Sequence, residues 1–340
     1  MAGMTEAQPV YSVEDLVIDL YTPTVSVRAV DGVSFGVRAR ETLAIVCESG
    51  SGKTVSTLGP LGLLPEGVGV DISGTAQADG KNLVGMDSAR LSALRGSYFG
   101  VIFQDPISAL NPMLKVGPQL AEQARRFAGL SRREARKEAV SLLARSGIPD
   151  PEDRYHRYPH EMSGGMLQRV MIALALASRP KVLIADEPTT ALDATVQAQI
   201  LDLIRHIQRD NNIAVILITH DIGAVAAVAD RVVVLYAGQI AEEGSVLDVL
   251  TGPVHPYTRG LLASVPDFRA DERAATREIP GLPPNQTTLE PGCRFAERCG
   301  FVEPQCRVHR PPLATIAATG VPHRVACPVV VRREGIAVNA

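Results

Sequence analysis

The stretch that decides the fold reads Glu48-Ser49-Gly50-Ser51-Gly52-Lys53-Thr54. It follows the apolar run Thr42-Leu43-Ala44-Ile45-Val46 and leads into a helix-compatible segment. Glycines let the backbone fold so that successive N–H groups and a helix N-terminus point at the β- and γ-phosphates of a nucleotide. Lys53 supplies a point charge, and Thr54 offers a hydroxyl to Mg²⁺. Residues 48–54 are therefore predicted to form a phosphate-binding loop.

The loop departs from the pattern G-x-x-x-x-G-K-[ST] at one position, where Cys47 replaces the first glycine. A Cβ atom at this position restricts a backbone that glycine would leave free. Two interpretations of Cys47 stay open: tolerated packing of the thiol, or redox regulation.

Length and composition limit the classes of protein that fit. The chain has 340 residues and 46% hydrophobic content, enough for a buried core and for about two units. A formal net charge of −3 gives no electrostatic reason to expect a nucleic-acid partner. Residues 1–15 lack an apolar signal region, and no apolar run is long enough to span a bilayer. We expect a cytoplasmic chain with reduced cysteines.

Strand-like runs alternate with helical patterns, which predicts an α/β fold with a mainly parallel sheet and helices on its faces. These runs are Leu16–Tyr21, Thr42–Val46, Tyr98–Phe103, Lys181–Ala185, Ala214–Thr219 and Arg231–Tyr236. Residues from about 105 to 180 lack such runs and predict a helical insertion. Within it, Ser131 and Glu134 form a capping-box pattern at a helix start.

Composition changes after Val265. Ten of the 24 prolines and four of the five cysteines follow this residue. We predict a domain boundary here, between residues 1–265 and a small Cys-rich C-terminal extension, residues 266–340, with little capacity for a core.

A second nucleotide element is the apolar strand Val182-Leu183-Ile184-Ala185, which ends in Asp186 and Glu187. Open α/β sheets bind ligands at the carboxyl ends of their strands. Asp186 is predicted to hold Mg²⁺ and Glu187 to orient and deprotonate the attacking water.

The segment Met162-Ser163-Gly164-Gly165-Met166-Leu167-Gln168-Arg169 resembles the signature loop of ATP-binding-cassette (ABC) ATPases. Three further runs match the family's glutamine, aspartate and histidine loops, namely Phe103-Gln104-Asp105-Pro106, Ala191-Leu192-Asp193 and Ile218-Thr219-His220-Asp221. This resemblance covers roughly residues 13–251. It implies the fold of an ABC nucleotide-binding domain: a P-loop NTPase with a mainly parallel sheet core, an antiparallel β part and a helical insertion.

The resemblance also implies roles for single residues. Gln104 joins Thr54 and Asp186 at Mg²⁺, and His220 reaches the γ-phosphate of ATP. Ser163, Gly164 and Gly165 complete the ATP site of a second subunit, with Asp193 in the aspartate loop. Tyr21 is the candidate for stacking on adenine, with Leu20 as the alternative.

The residues after the cassette indicate a branch of the family. The run His255-Pro256-Tyr257-Thr258-Arg259-Gly260-Leu261-Leu262 and four later cysteines resemble the C-terminal extension of oligopeptide/dipeptide importer ATPases. The resemblance implies a heterodimer with a homologous ATPase, bound to two permease subunits at the cytoplasmic face of the membrane and served by an extracytoplasmic peptide-binding protein. Glutathione or nickel complexes stay open as cargo. A soluble P-loop kinase is the rival reading, as is a soluble cassette protein of DNA repair or translation.

The four cysteines predict a metal centre, with the spacing C-x5-C-x6-C-x20-C through Cys293, Cys299, Cys306 and Cys327. Four thiolates suit a [4Fe–4S] cluster or a closed zinc site by ligand type. The C-x₂₋₄-C knuckles usual for zinc are missing, and the similar importer subunits carry the cluster. We therefore predict a structural [4Fe–4S] cluster, with Zn²⁺ as the alternative.

Overall fold

The computed structural model describes residues 8–48, 50–65, 67–190, 192–264, 278–287, 289, 291–316 and 321–338. Its strands are β1 (Tyr11–Tyr21), β2 (Ser26–Val37), β3 (Thr42–Val46), β4 (Gly69–Ala78), β5 (Lys81–Asn82), β6 (Phe99–Ile102), β7 (Val182–Asp186), β8 (Ala214–Thr219), β9 (Arg231–Tyr236), β10 (Gln239–Ser245), β11 (Ala314–Ile316) and β12 (His323–Val325). Its α-helices are α1 (Lys53–Leu58), α2 (Ser88–Tyr98), α3 (Pro106–Ala109), α4 (Val116–Ala128), α5 (Arg132–Arg145), α6 (Pro151–Tyr155), α7 (Gly164–Leu176), α8 (Ala194–Asn211), α9 (Ile222–Val228), α10 (Val246–Thr251), α11 (Pro256–Ala263) and α12 (Pro328–Arg333). Ser49, Ala191 and the predicted boundary at Val265 lie outside the described residues.

The chain divides into two compact units. Unit 1 consists of residues 1–12, 36–42 and 77–218, and unit 2 of residues 13–35, 43–76 and 219–340.

Unit 1 contains the parallel strands β6, β7 and β8, in that order. Every residue of β7 is buried. A parallel strand covered on both faces reads as a continuous apolar run rather than an alternating one, which explains the sequence from Val182 to Ala185. The predicted parallel sheet is confirmed for these strands.

The helical insertion of unit 1 contains α3 to α7. All of residues 105–180 are described, and none of them lies in a strand. Helix α5 begins at the predicted capping box, in which Ser131 and Glu134 exchange hydrogen bonds. Its buried face consists of Ala135, Ala139, Leu142 and Leu143. The sequence prediction of this helix is therefore confirmed.

Unit 2 contains a second set of strands. β3 pairs in parallel with β9, and β9 pairs with β10 in antiparallel orientation through a turn at Ala237 and Gly238. Both turn residues have positive φ, 46° and 80°, as a tight right-twisted hairpin requires. β10 continues to β12 and then β11, again antiparallel. A separate group has the order β2, β1, β4.

The C-terminal residues form more of a core than the sequence predicts. Buried side chains of this region pack together, namely Val254, Ile316, Val325, Val330 and Val331. Phe295 packs edge-on against Tyr236, with ring centroids 5.2 Å apart. The strands β11 and β12 are only three residues long, too short to give a periodic signal in the sequence.

A buried carboxylate attaches β12 to β10. Glu242 is fully buried and accepts hydrogen bonds from the backbone N–H groups of Val254 (2.8 Å) and His255 (3.0 Å). Nε2 of His323 lies 2.7 Å from Oε1 of Glu242. These partners satisfy a group that would otherwise be costly to bury.

No helix in the described part of the chain is both long enough and apolar enough to cross a lipid bilayer.

Candidate functional site

The phosphate-binding loop connects β3 to α1 in unit 2. Gly50 and Gly52 have φ values of 81° and 91°, in the left-handed region that favours glycine. A Cβ atom on Gly52 would lie 2.3 Å from the backbone oxygen of Ala29. This position therefore needs glycine for both its dihedral angle and its packing.

Lys53 turns back over the loop. Its side chain is buried, and Nζ donates a hydrogen bond to the carbonyl of Cys47 over 3.3 Å. The N–H of Gly238, from the β9–β10 turn, donates to the carbonyl of Ser51 over 3.0 Å. The predicted residues from Glu48 to Thr54, Ser49 apart, thus form a compact turn at the start of a helix.

Cys47 is 0% exposed to solvent. A reactive thiol needs access to solvent, so this burial favours the packing interpretation over redox regulation.

Asp186 and Glu187 lie at the carboxyl end of β7 in unit 1. Asp186 is buried, and Glu187 is half-buried with a φ of 47°. The N–H of Glu187 donates to the carbonyl of Ile218 over 2.9 Å. A non-glycine residue in this conformation is uncommon, and such residues cluster at functional sites.

Gln104 and Glu187 are brought together. Gln104 follows β6, and its Nε2 atom donates to Oε2 of Glu187 over 3.2 Å. The hydroxyl of Thr190 donates to the same oxygen over 3.0 Å. Two residues 83 positions apart, each predicted separately from its motif, thus meet at the ends of neighbouring strands.

The predicted signature loop is an exposed helix start. Ser163 caps α7 and accepts a hydrogen bond from the N–H of Met166 over 3.4 Å. Ser163 and Gly164 are exposed, and Gly165 is half-buried. A Cβ atom on Gly165 would lie 3.2 Å from the side chain of Val196. The turn is accessible to a second molecule, as its predicted role requires.

The remaining predicted residues lie at element ends. Asp193 caps α8 by accepting from the N–H groups of Thr195 (3.1 Å) and Val196 (3.0 Å). His220 belongs to unit 2, directly follows the last residue of β8, and is exposed. Tyr21, at the end of β1, is 43% exposed. The roles of these side chains toward ATP stay predictions.

The four C-terminal cysteines are half-buried free thiols of unit 2. The pKa of Cys293 is raised to about 11, mainly by burial and also by the nearby thiols of Cys327, Cys299 and Cys306. The N–H of Phe301 donates to Sγ of Cys299 over 3.4 Å. However, no group of three or more His, Cys, Asp or Glu side chains in the described residues has the spacing of a metal site.

Two residues that sequence reasoning missed contact the phosphate-binding loop. The hydroxyl of Tyr257 accepts a hydrogen bond from the N–H of Glu48 over 2.9 Å. The guanidinium of Arg298 forms an ion pair with the Glu48 carboxylate over 2.7 Å. Tyr257 belongs to a quoted motif, but Arg298 is 250 residues from Glu48 and no local pattern points to it.

Known proteins resemble the chain over most of its length. Residues 30–190 match the ABC transporter family, and residues 241–306 match the family "Oligopeptide/dipeptide transporter, C-terminal region". The dipeptide transport ATP-binding protein DppD of Bacillus subtilis is 49% identical over 292 residues, 86% of this chain and 87% of that protein. The oligopeptide transport ATP-binding protein OppD of the same organism is 46% identical over 307 residues, 90% of this chain and 86% of that protein.

A solved structure agrees with these relatives. The ATP-binding cassette MJ0796, in a dimeric post-hydrolysis state bound to ADP and Pi, matches with a TM-score of 0.61 and 25% identity. The match covers 69% of this chain and 98% of the cassette. The chain therefore belongs to the ABC transporter family of ATPases, in the group whose members carry the oligopeptide/dipeptide transporter C-terminal region.

Proposed function

We propose that the chain is the ATP-hydrolysing subunit of a bacterial peptide importer. The observation that carries this proposal is the contact between Gln104 and Glu187 at the carboxyl ends of β6 and β7, in a chain whose relatives are named as peptide transport ATP-binding proteins. Glutamine and glutamate side chains within hydrogen-bond distance can bind Mg²⁺ and activate a water molecule together.

Each predicted residue has a part in this reaction. Lys53 and the loop from Glu48 to Thr54 hold the phosphates, and Tyr21 stacks on adenine. Thr54, Gln104 and Asp186 are the residues that would hold Mg²⁺, which neutralises the charge that develops on the phosphates. Glu187 takes the proton of the attacking water, and His220 contacts the γ-phosphate.

Hydrolysis in this proposal requires two ATPase subunits. The exposed turn of Ser163, Gly164 and Gly165 completes the ATP site of the second subunit, with Asp193 at the same interface. We propose that this second subunit is a homologous but different ATPase. The pair docks on two permeases at the cytoplasmic face of the membrane, and an extracytoplasmic peptide-binding protein delivers the cargo.

Reconstitution tests the proposal. The purified chain alone should hydrolyse ATP slowly, because its site lacks the partner's signature turn. In vesicles with the partner ATPase, the permeases and the binding protein, peptide addition should stimulate hydrolysis and drive peptide uptake. Full hydrolysis by a proven monomer would contradict the shared site, and uptake without ATP consumption would contradict the motor role. Transfer of phosphate to a small acceptor would favour a kinase.

We also propose that Cys293, Cys299, Cys306 and Cys327 hold a structural [4Fe–4S] cluster. The support is chemical: three other thiols near enough to raise the pKa of Cys293, and a backbone N–H that donates to the sulfur of Cys299. Such N–H donors stabilise thiolate ligands. When bound, the cluster would cross-link the segment that carries these cysteines.

Metal analysis separates the cluster from its alternative. Protein purified without oxygen should be brown and contain iron and labile sulfide in equal amounts. Replacing any one of the four cysteines with serine should remove the colour, whereas Cys47→Ser should keep it. A colourless protein with stoichiometric zinc would contradict the iron–sulfur proposal.

The domain division is a proposal as well. We assign residues 1–265 to the ATPase domain, with a helical subdomain at about 105–180, and residues 266–340 to the C-terminal extension. Limited proteolysis should cut near residue 265 before it cuts either part.

A further inference from the structure

The C-terminal part of unit 2 reaches the phosphate-binding loop at three points. Arg298 pairs with the carboxylate of Glu48, and the Tyr257 hydroxyl accepts from the Glu48 N–H. The side-chain amide of Gln286 donates to the carbonyl of Gly50. All these residues belong to unit 2, so the contacts lie within one compact body.

The contact made by Arg298 is the strongest of the three. Its side chain is only 6% exposed, and it binds both carboxylate oxygens of Glu48, over 2.7 and 3.2 Å. Such a two-pronged pair fixes orientation as well as distance.

Further partners fix the guanidinium itself. It donates to the Tyr236 hydroxyl over 3.1 Å and to the carbonyl of Pro280 over 2.9 Å. A buried guanidinium with this many acceptors has one conformation, so it holds Glu48 in one place.

Glu48 occupies one of the positions that the phosphate-loop pattern leaves variable. Its carboxylate is therefore not required by the pattern for binding phosphate. Its backbone, however, is the first part of the turn that must point amides at the ligand. Tyr257 fixes the N–H and Arg298 fixes the side chain, so the residue is held at both ends.

A glycine-rich turn is otherwise costly to order. Glycine loses more conformational freedom than any other residue when it is fixed, and Gly50 and Gly52 lie in this loop. A loop that is already ordered before ATP arrives binds it more tightly, because less entropy is lost on binding.

We propose that Arg298 is a positioning residue for nucleotide binding, through which the C-terminal region holds the phosphate-binding loop in its ATP-binding shape. Arg298 contacts the phosphate-binding loop through the carboxylate of Glu48 and does not belong to the ATP-binding motifs. Its effect passes through Glu48. ATP affinity consequently depends on a segment outside the cassette motifs.

The same contact connects the loop to the four thiols. Arg298 ends a short 3₁₀ helix, Ala296–Arg298, directly before Cys299. The N–H of Ala296 donates to the carbonyl of Cys293 over 3.0 Å, and the N–H of Cys299 donates to the carbonyl of Ala296 over 3.3 Å. A change in the backbone around these cysteines therefore moves Arg298. This connection does not depend on which metal, if any, the thiols bind.

Arg298→Met tests the proposal, because it keeps the apolar stem and removes the charged fork. Titration of the full chain with a fluorescent ATP analogue should give a Kd raised about 3- to 30-fold, the range for residues that act on a site without touching the ligand. Arg298→Lys should recover only part of the affinity, since an ammonium cannot bind both oxygens. Arg307→Met is the matched control. Arg307 pairs with Glu297 in the same region and should leave the Kd within twofold of wild type.

A double-mutant cycle identifies the route. Glu48→Gln alone should weaken ATP binding, and Arg298→Met should add little in the Glu48→Gln background. Additive effects, or an unchanged Kd in folded Arg298→Met protein, would overturn the proposal. If Arg298→Met does not fold, Glu48→Gln decides alone: an unchanged Kd in that variant overturns the proposal as well.

Hydrogen exchange gives a readout that a purely structural role would not change. Coupling between two sites is reciprocal, so ATP should slow amide exchange in residues 293–299 of the wild-type chain. Arg298→Met should abolish this protection at saturating ATP. Equal protection in both proteins would contradict the proposed route.

Discussion

Glu187 in unit 1 and Glu48 in unit 2 are both carboxylates that follow a buried strand, but their surroundings differ. Glu187 accepts hydrogen bonds from two neutral groups, the Gln104 amide and the Thr190 hydroxyl. Glu48 is bound by a buried guanidinium that itself has several further partners. Hydrogen bonds to a carboxylate are charge-assisted in both cases, but the guanidinium at Glu48 is itself charged and binds both oxygens, which adds attraction and fixes the orientation.

The difference matches what each carboxylate has to do in the proposed mechanism. Glu187 must exchange partners when water and Mg²⁺ arrive, and two uncharged donors allow this more easily than an ion pair would. Glu48 only keeps a loop in shape, and a strong pair suits that task. We infer that Glu187 is suited to a reactive role, whereas Glu48 keeps the phosphate-binding loop in a preformed shape.

Glu187→Gln should have the largest effect, because it removes the base for ATP hydrolysis and leaves the phosphate-binding loop unchanged. The amide keeps the geometry but cannot accept the proton of water, so steady-state ATP hydrolysis should fall about 1,000-fold. ATP affinity, measured by titration, should stay within a few-fold of wild type. Hydrolysis near the wild-type rate would remove Glu187 from the role of base.

Lys53→Ala should instead affect ATP binding by the phosphate-binding loop. Loss of a cation at the phosphates should weaken ATP binding about 10- to 100-fold, corresponding to one strong charge-assisted interaction. Lys81→Ala is the control, because Lys81 lies on the surface and pairs with Asp79. Unchanged affinity in Lys53→Ala would contradict the assignment of the loop.

Acid should weaken the attachment of the C-terminal region through His255. Burial lowers the pKa of His255 to about 4, although the nearby Glu242 opposes this shift. The unfolded chain, with the ordinary histidine pKa of about 6.5, then binds more protons than the folded chain between these values. Stability due to neutral His255 is complete above about pH 6.5 and is lost as the pH falls toward 4.

The expected loss between pH 6.5 and 5 is about 1.5 kcal/mol, measurable by urea unfolding of the full chain. His255→Asn keeps an acceptor for the helix start at Tyr257 but does not titrate. The variant should show a flatter pH profile. An identical profile in both proteins would show that His255 does not titrate differently on folding.

Asp193 offers the smallest effect and a direct test within unit 1. Asp193→Ala removes the cap of α8 and should cost about 1 kcal/mol in the free energy of unfolding. Asp193→Asn restores an acceptor and should recover this stability. If Asp193→Asn also restores ATP hydrolysis by the assembled transporter, Asp193 is only a cap; lost hydrolysis at full stability would indicate a role at the subunit interface.

Local signals predicted much of unit 1. Ser131 and Glu134 determine a helix start through bonds three residues apart, and the apolar run before Asp186 predicts a buried parallel strand. Gln104 was assigned to the ATP site only through the family resemblance, and its contact with Glu187 fits the rule that neighbouring parallel strands end at one edge. The first two inferences need only neighbouring residues and a topology rule.

The contacts of unit 2 were harder to predict. The pair between Glu48 and Arg298 depends on the complete tertiary fold, because neither residue carries a periodic or capping pattern that names its partner. The valines of the C-terminal core were missed for a similar reason: Val325 lies in a three-residue strand, and Val330 and Val331 lie in the six-residue helix α12, both too short for a periodic signal. Composition alone suggested a segment with little core.

The pairing of β12 with β10 has a consequence for biosynthesis. During translation β10 leaves the ribosome well before β12, so its backbone edge and the side chains of Glu242 and Glu243 wait for partners that are made later. An uncovered edge strand can pair with another chain. We expect nascent or prematurely terminated chains that stop before His323 to be substrates for chaperones and proteases, even though every nucleotide motif in them is already complete.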